Sequence, residues 1–183
     1  GRFSRLARYL TPKQHQKLIR LGIPGLQFHR GERRVYPHGS LVSHALGITD
    51  VDGHGITGIE NYFDQSLRST GAPLRLSVDL RVQSVMREEL IDVMAEFKAT
   101  GATGLVMDVR NGEIIAMVSL PDFNPNHPGD MSGEAAFNRA TKGVYEMGST
   151  FKLFTAAMAL DSGTISMAGG YDASKPIRVA RFT

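Results

Sequence analysis

The sequence predicts an α+β fold. Three stretches carry that prediction: an amphipathic helix from Leu80 to about Phe97, two strand-like runs around Arg110-Asn111-Gly112, and a nearly all-apolar helix from Phe151 to Leu160.

In chain order, Thr11-Pro12 opens the first helix, with a hydroxyl cap before proline at the first helical position. That helix runs to Leu21 and stops at Gly22, and Pro24 blocks continuation. Residues 23–58 are rich in glycine, histidine and arginine, and short strands and turns are expected there, with one brief helix around Ser40 to Ala45. Ile59 to Leu67 reads as a further short helical segment. After Gly71-Ala72-Pro73, Leu74, Leu76 and Val78 alternate with Arg75, Ser77 and Asp79, the pattern of a half-buried strand. Asp79 then caps the long helix, whose apolar face is Val82, Met86, Leu90, Val93 and Phe97. Gly101 and Gly104 mark its exit, and Gly101 to Gly104 reads as a turn.

The runs Leu105–Val109 and Glu113–Val118 form a hairpin, with Asn111-Gly112 supplying the positive backbone angles of a tight turn. Three prolines make Pro121 to Gly129 a structured loop, and Gly133 to Thr141 has room for a short helix. The helix after Gly148-Ser149 is too apolar for a surface helix and reads as buried, ending at Gly163. Beyond it, Ile177, Val179 and Arg181 alternate as if a strand were beginning. The natural boundary is near Ala72-Pro73, dividing residues 1–72 from 73–183.

Bulk properties narrow the function. The chain of 183 residues is 42% hydrophobic and 21% charged, which suits a folded protein and argues against wholesale disorder. Its net charge of +3 is concentrated between Arg2 and Arg34, and charge alone does not choose among nucleic acid, anionic lipid and acidic polymer. No zinc pattern, RNA-binding aromatic signature or dense basic helix supports nucleic acid. The absence of cysteine excludes disulfides and thiolate chemistry. His29, His38, His44, His54 and His127 are too scattered for a metal set, and no cofactor is expected. No apolar run is long enough to span a bilayer, while Gly1 in place of a start methionine suggests upstream sequence.

Ser149-Thr150-Phe151-Lys152 places a hydroxyl and an amine three residues apart. On a helix both lie on one face, and a weakly nucleophilic serine needs such a neighbouring base. Lysine serves as base when burial or nearby positive charge lowers its pKa, and the apolar helix is expected to desolvate Lys152. The helix N-terminus also offers backbone donors to an oxyanion. By itself the pattern is weak, because serine is a common cap and lysine commonly snorkels to water.

The wider segment Tyr145-Glu146-Met147-Gly148-Ser149-Thr150-Phe151-Lys152 resembles the active-site segment of class B penicillin-binding proteins, in which serine-x-x-lysine is a general signature. Arg34-Val35-Tyr36-Pro37-His38-Gly39 with His44-Ala45-Leu46-Gly47 is similar to the family's N-terminal pedestal. Gly55-Ile56-Thr57-Gly58-Ile59-Glu60 resembles the segment joining it to the catalytic domain. Leu76-Ser77-Val78-Asp79 with Gln83, the stretch from Asp108 to Pro121, Asp122 to Asn126, and Asn138-Arg139-Ala140 follow in family order. Together they cover roughly residues 23 to 163, and Asp52-Gly53-His54-Gly55 resembles the division-specific branch.

The resemblance implies an incomplete penicillin-binding/serine β-lactamase-like transpeptidase domain, preceded by part of a pedestal. It implies a peptidoglycan D,D-transpeptidase that crosslinks stem peptides, is acylated by β-lactams, and works at the periplasmic face of the inner membrane. A septal glycosyltransferase and divisome membrane proteins are the implied partners, with a membrane anchor upstream. Ser149 is then the nucleophile and an oxyanion-hole N–H donor, and Lys152 the general base. Glu146, Gly148, Arg34, Glu60 and Asp108 are supporting residues, with Arg34 and Glu60 expected to pair.

Two departures stand out. Met147 occupies a position where the family commonly has proline, and no serine-x-asparagine or lysine-threonine/serine-glycine motif follows in a matching context. The 183 residues alone are therefore expected to show no appreciable turnover and an incomplete fold. A non-catalytic divisome scaffold and a β-lactamase-like hydrolase are the rival readings.

Overall fold

A computed structural model of the chain describes residues 4–170, 172 and 174–176. It contains two compact units, residues 1–143 and 144–183. The start of a strand expected at Ile177, Val179 and Arg181 lies outside the described residues.

The first unit begins with α1 (Pro12–Arg20). Thr11 caps it through a reciprocal box: its Oγ1 accepts from Gln14 N–H, and Gln14 Oε1 accepts from Thr11 N–H at 2.9 Å. A single-turn 3₁₀ segment, Gly39–Val42, leads into α2 (Ser43–Leu46). The strands expected between residues 23 and 58 are reduced to one isolated bridge, Thr49 with Gly55. Short side-chain bonds organise this region instead: Asp50 Oδ1 accepts from Asp52 N–H at 2.8 Å and from His54 N–H at 2.9 Å. The helical segment expected from Ile59 to Leu67 is two helices, α3 (Gly58–Tyr62) and α4 (Asp64–Thr70).

The architectural centre is α5 (Leu80–Phe97) laid on a two-stranded antiparallel sheet, β1 (Ala102–Met107) and β2 (Ile114–Leu120). Asp79 caps α5 by accepting from Arg81 N–H at 2.9 Å. The inward stripe of α5 follows Gln83, Met86, Leu90 and Met94, whereas Val93 and Phe97 are exposed. Val82, Met86 and Leu90 of the expected face are half-buried as expected; the stripe departs from it in running on to Met94 and in having the polar Gln83 as its most buried member. Helix α5 ends at Lys98 in the left-handed region, where Ala99 N–H bonds Met94 O at 3.0 Å.

Gly101 and Gly104 are not a helix exit, and Gly101 to Gly104 is not a turn, since β1 starts at Ala102. Gly104 is where α5 presses on the sheet: a Cβ there would lie 2.7 Å from Met86 Sδ. The hairpin connection is also wider than a two-residue turn. Asp108 O accepts Gly112 N–H at 2.8 Å, and only Gly112, at φ 77°, takes a positive angle; Asn111 does not. A bulge opposite Val106 and Met107 adds one residue to β2.

Residues 74–78 do not form a strand. Leu76 and Val78 are half-buried as their alternation predicts, but Asp79 N–H to Ile115 O, 2.9 Å, is the main-chain bond tying the segment to β2. Ser77 Oγ adds a bond to Ile114 O at 2.7 Å. One main-chain contact does not make a ladder.

Gln83, 1% exposed, fills the remaining edge. Its Nε2 donates to Met117 O at 2.7 Å and Leu41 O at 2.8 Å, and its Oε1 accepts from Met117 N–H at 2.8 Å. The amide thereby pairs with β2 as a neighbouring peptide would, and it ties the 3₁₀ turn to both. Beyond β2, the prolines of 121–129 hold a loop with a 3₁₀ turn at Pro128–Asp130, as expected. The helix expected from Gly133 to Thr141 is split into α6 (Gly133–Ala136) and α7 (Arg139–Lys142). Ser119, 2% exposed, donates to Phe137 O and accepts from Arg139 N–H, fixing α7 to the end of β2.

In the second unit, a 3₁₀ turn, Gly148–Phe151, runs into α8 (Lys152–Asp161). The expectation of a buried helix fails: no α8 residue is buried, and Leu153, Phe154 and Met158 are 63% to 70% exposed. The residues are apolar, as read, but burial requires a packing surface, and unit 144–183 provides none for them. Gly163 follows the helix end at φ 69°.

Replacing Gln83 by leucine keeps volume but leaves three main-chain groups without partners. The expected loss is about 3 kcal/mol, at one or more per stranded group, measured by urea unfolding of the first unit. A loss within error of zero contradicts the clamp. A second test is pH. His44 Nε2–H donates to Ala135 O at 2.9 Å, its ring meets Phe123 edge-on, and burial holds its pKa below 6.5. A depressed histidine favours the neutral folded form, so its stabilisation is full above the unfolded value and is lost as pH falls through the folded one. Stability should therefore decline below about pH 6.5, and His44→Gln should flatten that decline in pH-dependent unfolding.

Candidate active site

The second unit holds the predicted nucleophile. Ser149 sits in the Gly148–Phe151 turn, and Lys152 N–H donates back to Ser149 O. Lys152 is the first residue of α8, three positions after Ser149, a spacing that sets the two on neighbouring positions of the turn-to-helix junction. Thr150 N–H bonds Met147 O at 3.1 Å, which closes the approach. The N–H groups of Gly148 and Ser149, at the front of this turn, lie where a helix leaves its donors without intrahelical acceptors.

The backbone of Gly148 is at φ 52°, in the left-handed region that costs an L-residue about 1–2 kcal/mol. Glycine is thus needed immediately before Ser149 for conformation. Met147 has φ −72°, within the range that proline imposes, and its N–H donates to no acceptor among the described residues. The departure from proline costs this backbone no hydrogen bond. Its effect falls on stiffness alone.

Lys152 is exposed, and no hydrogen bond joins its Nζ to Ser149 Oγ among the described residues. The expected desolvation by its own helix is not found, for the same reason that α8 is unburied. Phe151 and Phe154, ring centroids 5.4 Å apart, lie beside it but leave it open to water. Glu146 is exposed, precedes the turn, and forms no ion pair among the described residues. It does not stand in the first helical turn.

The supporting residues of the first unit are placed as follows. Arg34 Nε donates to Glu60 Oε1 at 2.6 Å; Glu60 is 5% exposed, and its carboxylate raises the Arg34 pKa. Asp108 accepts from Arg110 N–H, Nε and Nη2 in the hairpin loop, and this guanidinium holds its carboxyl below the usual range. It is not part of the Arg34–Glu60 pair.

Sequence reasoning missed two long-range ties. Asn126 Oδ1 accepts from Tyr36 N–H at 2.9 Å, and its Nδ2 donates to Tyr36 O at 2.8 Å, so one amide clamps a main-chain segment ninety residues away. Arg87 reaches Asp122 through Nε at 2.6 Å and Nη2 at 3.2 Å, binding α5 to the loop after β2. The available signals were Arg87 lying four residues after Gln83 on the same ridge, and polar residues packed between prolines at 122–126.

Residues 102–176 match the penicillin binding protein transpeptidase domain. The chain is 41% identical over 174 residues to the probable peptidoglycan D,D-transpeptidase FtsI of Caulobacter vibrioides, across 93% of this chain and 30% of that protein. Residues 102–176 form part of a penicillin-binding-type peptidoglycan transpeptidase domain. The chain is also 33% identical over 192 residues to peptidoglycan D,D-transpeptidase FtsI of Escherichia coli K12, covering 90% of this chain and 32% of the relative. The crystal structure of penicillin-binding protein 3 from Mycobacterium tuberculosis superposes with a TM-score of 0.65 at 28% identity, covering 73% of this chain and 32% of that one. The chain therefore spans about a third of the length of these relatives. The fold is the mixed α+β arrangement of this transpeptidase domain.

The geometry of the turn makes a local prediction. Met147→Pro restricts a backbone already at proline's angle and should slow thermolysin cleavage beside Phe151 by about 2- to 5-fold, the equivalent of 0.4–1 kcal/mol. Gly148→Ala should accelerate it. Equal cleavage of both variants and the parent contradicts the assigned turn.

Proposed function

We propose that the protein containing this chain is a peptidoglycan D,D-transpeptidase of septal wall synthesis, with Ser149 as nucleophile and Lys152 as base. The observation that carries the reading is Ser149 in the 3₁₀ turn at the head of α8, with Lys152 three positions on as the first residue of that helix, within residues that match the penicillin binding protein transpeptidase domain. Ser149 Oγ attacks the penultimate D-alanine carbonyl of a donor stem peptide, and its proton passes to Lys152 Nζ. Terminal D-alanine departs, leaving an ester on Ser149. An amine of a neighbouring stem peptide then attacks the ester and frees the serine. The Ser149 N–H supplies part of the oxyanion hole. The same ester forms when Ser149 opens a β-lactam ring.

Lys152 is exposed and nothing covers it among the described residues of 144–183, so we infer that its activation depends on groups outside them. The FtsI names of the relatives support the division branch, a location at the periplasmic face of the inner membrane, and partnership with a septal glycosyltransferase and divisome membrane proteins. Among the described residues, no helix is long and apolar enough to cross a membrane. We place the functional boundary near Ala72-Pro73, with residues 1–72 as part of a pedestal; the domain match at 102–176 falls wholly after it. On this reading the Tyr36–Asn126 and Leu41–Gln83 bonds join pedestal to catalytic domain. Glu146 and Asp108 are loop-shaping residues.

The test is incubation of the natural gene product containing residues 1–183 with a fluorescent penicillin, followed by peptide mapping. One label per protein on the Ser149 peptide is expected, lost in Ser149→Ala and slowed at least 100-fold in Lys152→Ala, the scale of general-base catalysis. Labelling that persists in Ser149→Ala refutes the assignment. Rapid release of the label by water indicates a hydrolase instead.

A further inference from the structure

Charge is divided sharply along the chain. Nine of its 21 lysines and arginines, but one of its 18 acidic residues, fall in residues 1–34, so that stretch carries +8 and the remainder −5. Arg8 and Arg34 are engaged, with Asp52 and Glu60 respectively. Lys13, Lys17 and Arg20 are exposed, and none meets a carboxylate among the described residues. At 100° per residue these three fall within a narrow arc of α1. Leu18, the one half-buried residue of α1, lies on the opposite side with His15, whose ring meets Phe28 edge-on at 4.5 Å. The packed side of α1 thus turns its cations outward.

The same end of α1 exposes aliphatic side chains. Ile19 is 55%, Leu21 58% and Ile23 51% exposed, on the last turn of the helix and the loop that follows it. Lys17 and Arg20 are their neighbours in sequence, although Ile19 stands about 130° around α1 from the cationic arc. An apolar tip beside a cationic face matches the boundary between lipid headgroups and acyl chains: the aliphatics enter the hydrocarbon edge while the cations meet phosphates. A nucleic acid or acidic glycan would satisfy the cations but leave the three aliphatics in water.

We propose that α1 and the Leu21–Ile23 loop form a docking surface for an anionic phospholipid bilayer. Lys13, Lys17 and Arg20 supply the attraction, and Ile19, Leu21 and Ile23 supply shallow insertion. Its contact with lipid requires no acyl-transfer chemistry.

The experiment is co-sedimentation of the 183-residue chain with vesicles of equal parts phosphatidylglycerol and phosphatidylcholine, beside vesicles of phosphatidylcholine alone. Binding to the anionic vesicles, weakened by salt, is expected. Substituting Lys13→Gln, Lys17→Gln and Arg20→Gln together should lower partitioning roughly 100-fold. Ile19→Ser, Leu21→Ser and Ile23→Ser together should also lower it while leaving the unfolding midpoint unchanged. Equal binding to neutral vesicles overturns the proposal. So does anionic binding that survives the cation substitutions, or that ignores the aliphatic ones, since the latter marks a general polyanion site. Absence of vesicle binding, with or without binding to an acidic protein, equally overturns it.

Discussion

The first unit depends on one buried amide. Gln83 stands on α5 and pairs with both main-chain groups of Met117, while its second donor holds Leu41. In an antiparallel pair, alternate residues direct both groups toward the partner or both away from it. Met117 directs its pair away from β1, into what would otherwise be a bare sheet edge. Gln83 and the 77–79 segment close that edge, so a sheet of only two strands keeps a defined outer side. Because the Gln83 amide is buried and its bonds partly so, breaking them strands main-chain groups in a poorly solvated place, and the clamp fixes geometry as well as adding stability.

The remaining ties extend from this centre in the same way. Asn126 grips Tyr36 by two main-chain bonds, and the Tyr36 hydroxyl accepts from Thr49 N–H at 3.1 Å. Arg34 neutralises Glu60, which would otherwise be a lone buried carboxylate. Arg87 and Asp122 hold the loop after β2 against α5. Side-chain amides and guanidinium pairs thus tie together the short helical turns of residues 34–60 and the loop 121–126 where no sheet ladder does so. That region has little apolar material, and its buried hydrophobic members are Tyr36, Val42, Ile48 and Phe123.

This explains what could be read from the sequence and what could not. Long periodic stretches were legible: α5 with its Asp79 cap, the hairpin, and the Thr11-Pro12 helix start all depend on neighbours in sequence. The α5 stripe was legible at Val82, Met86 and Leu90, but Gln83 was absent from it, because a polar residue counts against burial until its three partners are known. The strand expected at 74–78 failed because alternation reports which side chains face inward but not whether a ladder partner is present. The Arg34–Glu60 pair was legible in the sequence and is present, while Ser149 and Lys152 were singled out through resemblance and their roles are proposed. The tie from Asn126 to Tyr36 was not, since nothing local in an Asn-Pro-Asn run names a partner ninety residues away. The exposure of α8 was also missed, because composition shows that a helix needs burial without showing what buries it.

The two units therefore differ in how their order is maintained, one by buried polar clamps and the other by local turns alone. Residue-resolved amide hydrogen exchange of the 183-residue chain separates them most directly. The Met117 amide, bonded to a side chain and not to a strand, should exchange only with global opening of the first unit, as slowly as the best-protected amides of β2. Amides within Lys152–Asp161 should exchange orders of magnitude faster. A Met117 amide that exchanges as readily as those of α8 would contradict the central place given to Gln83.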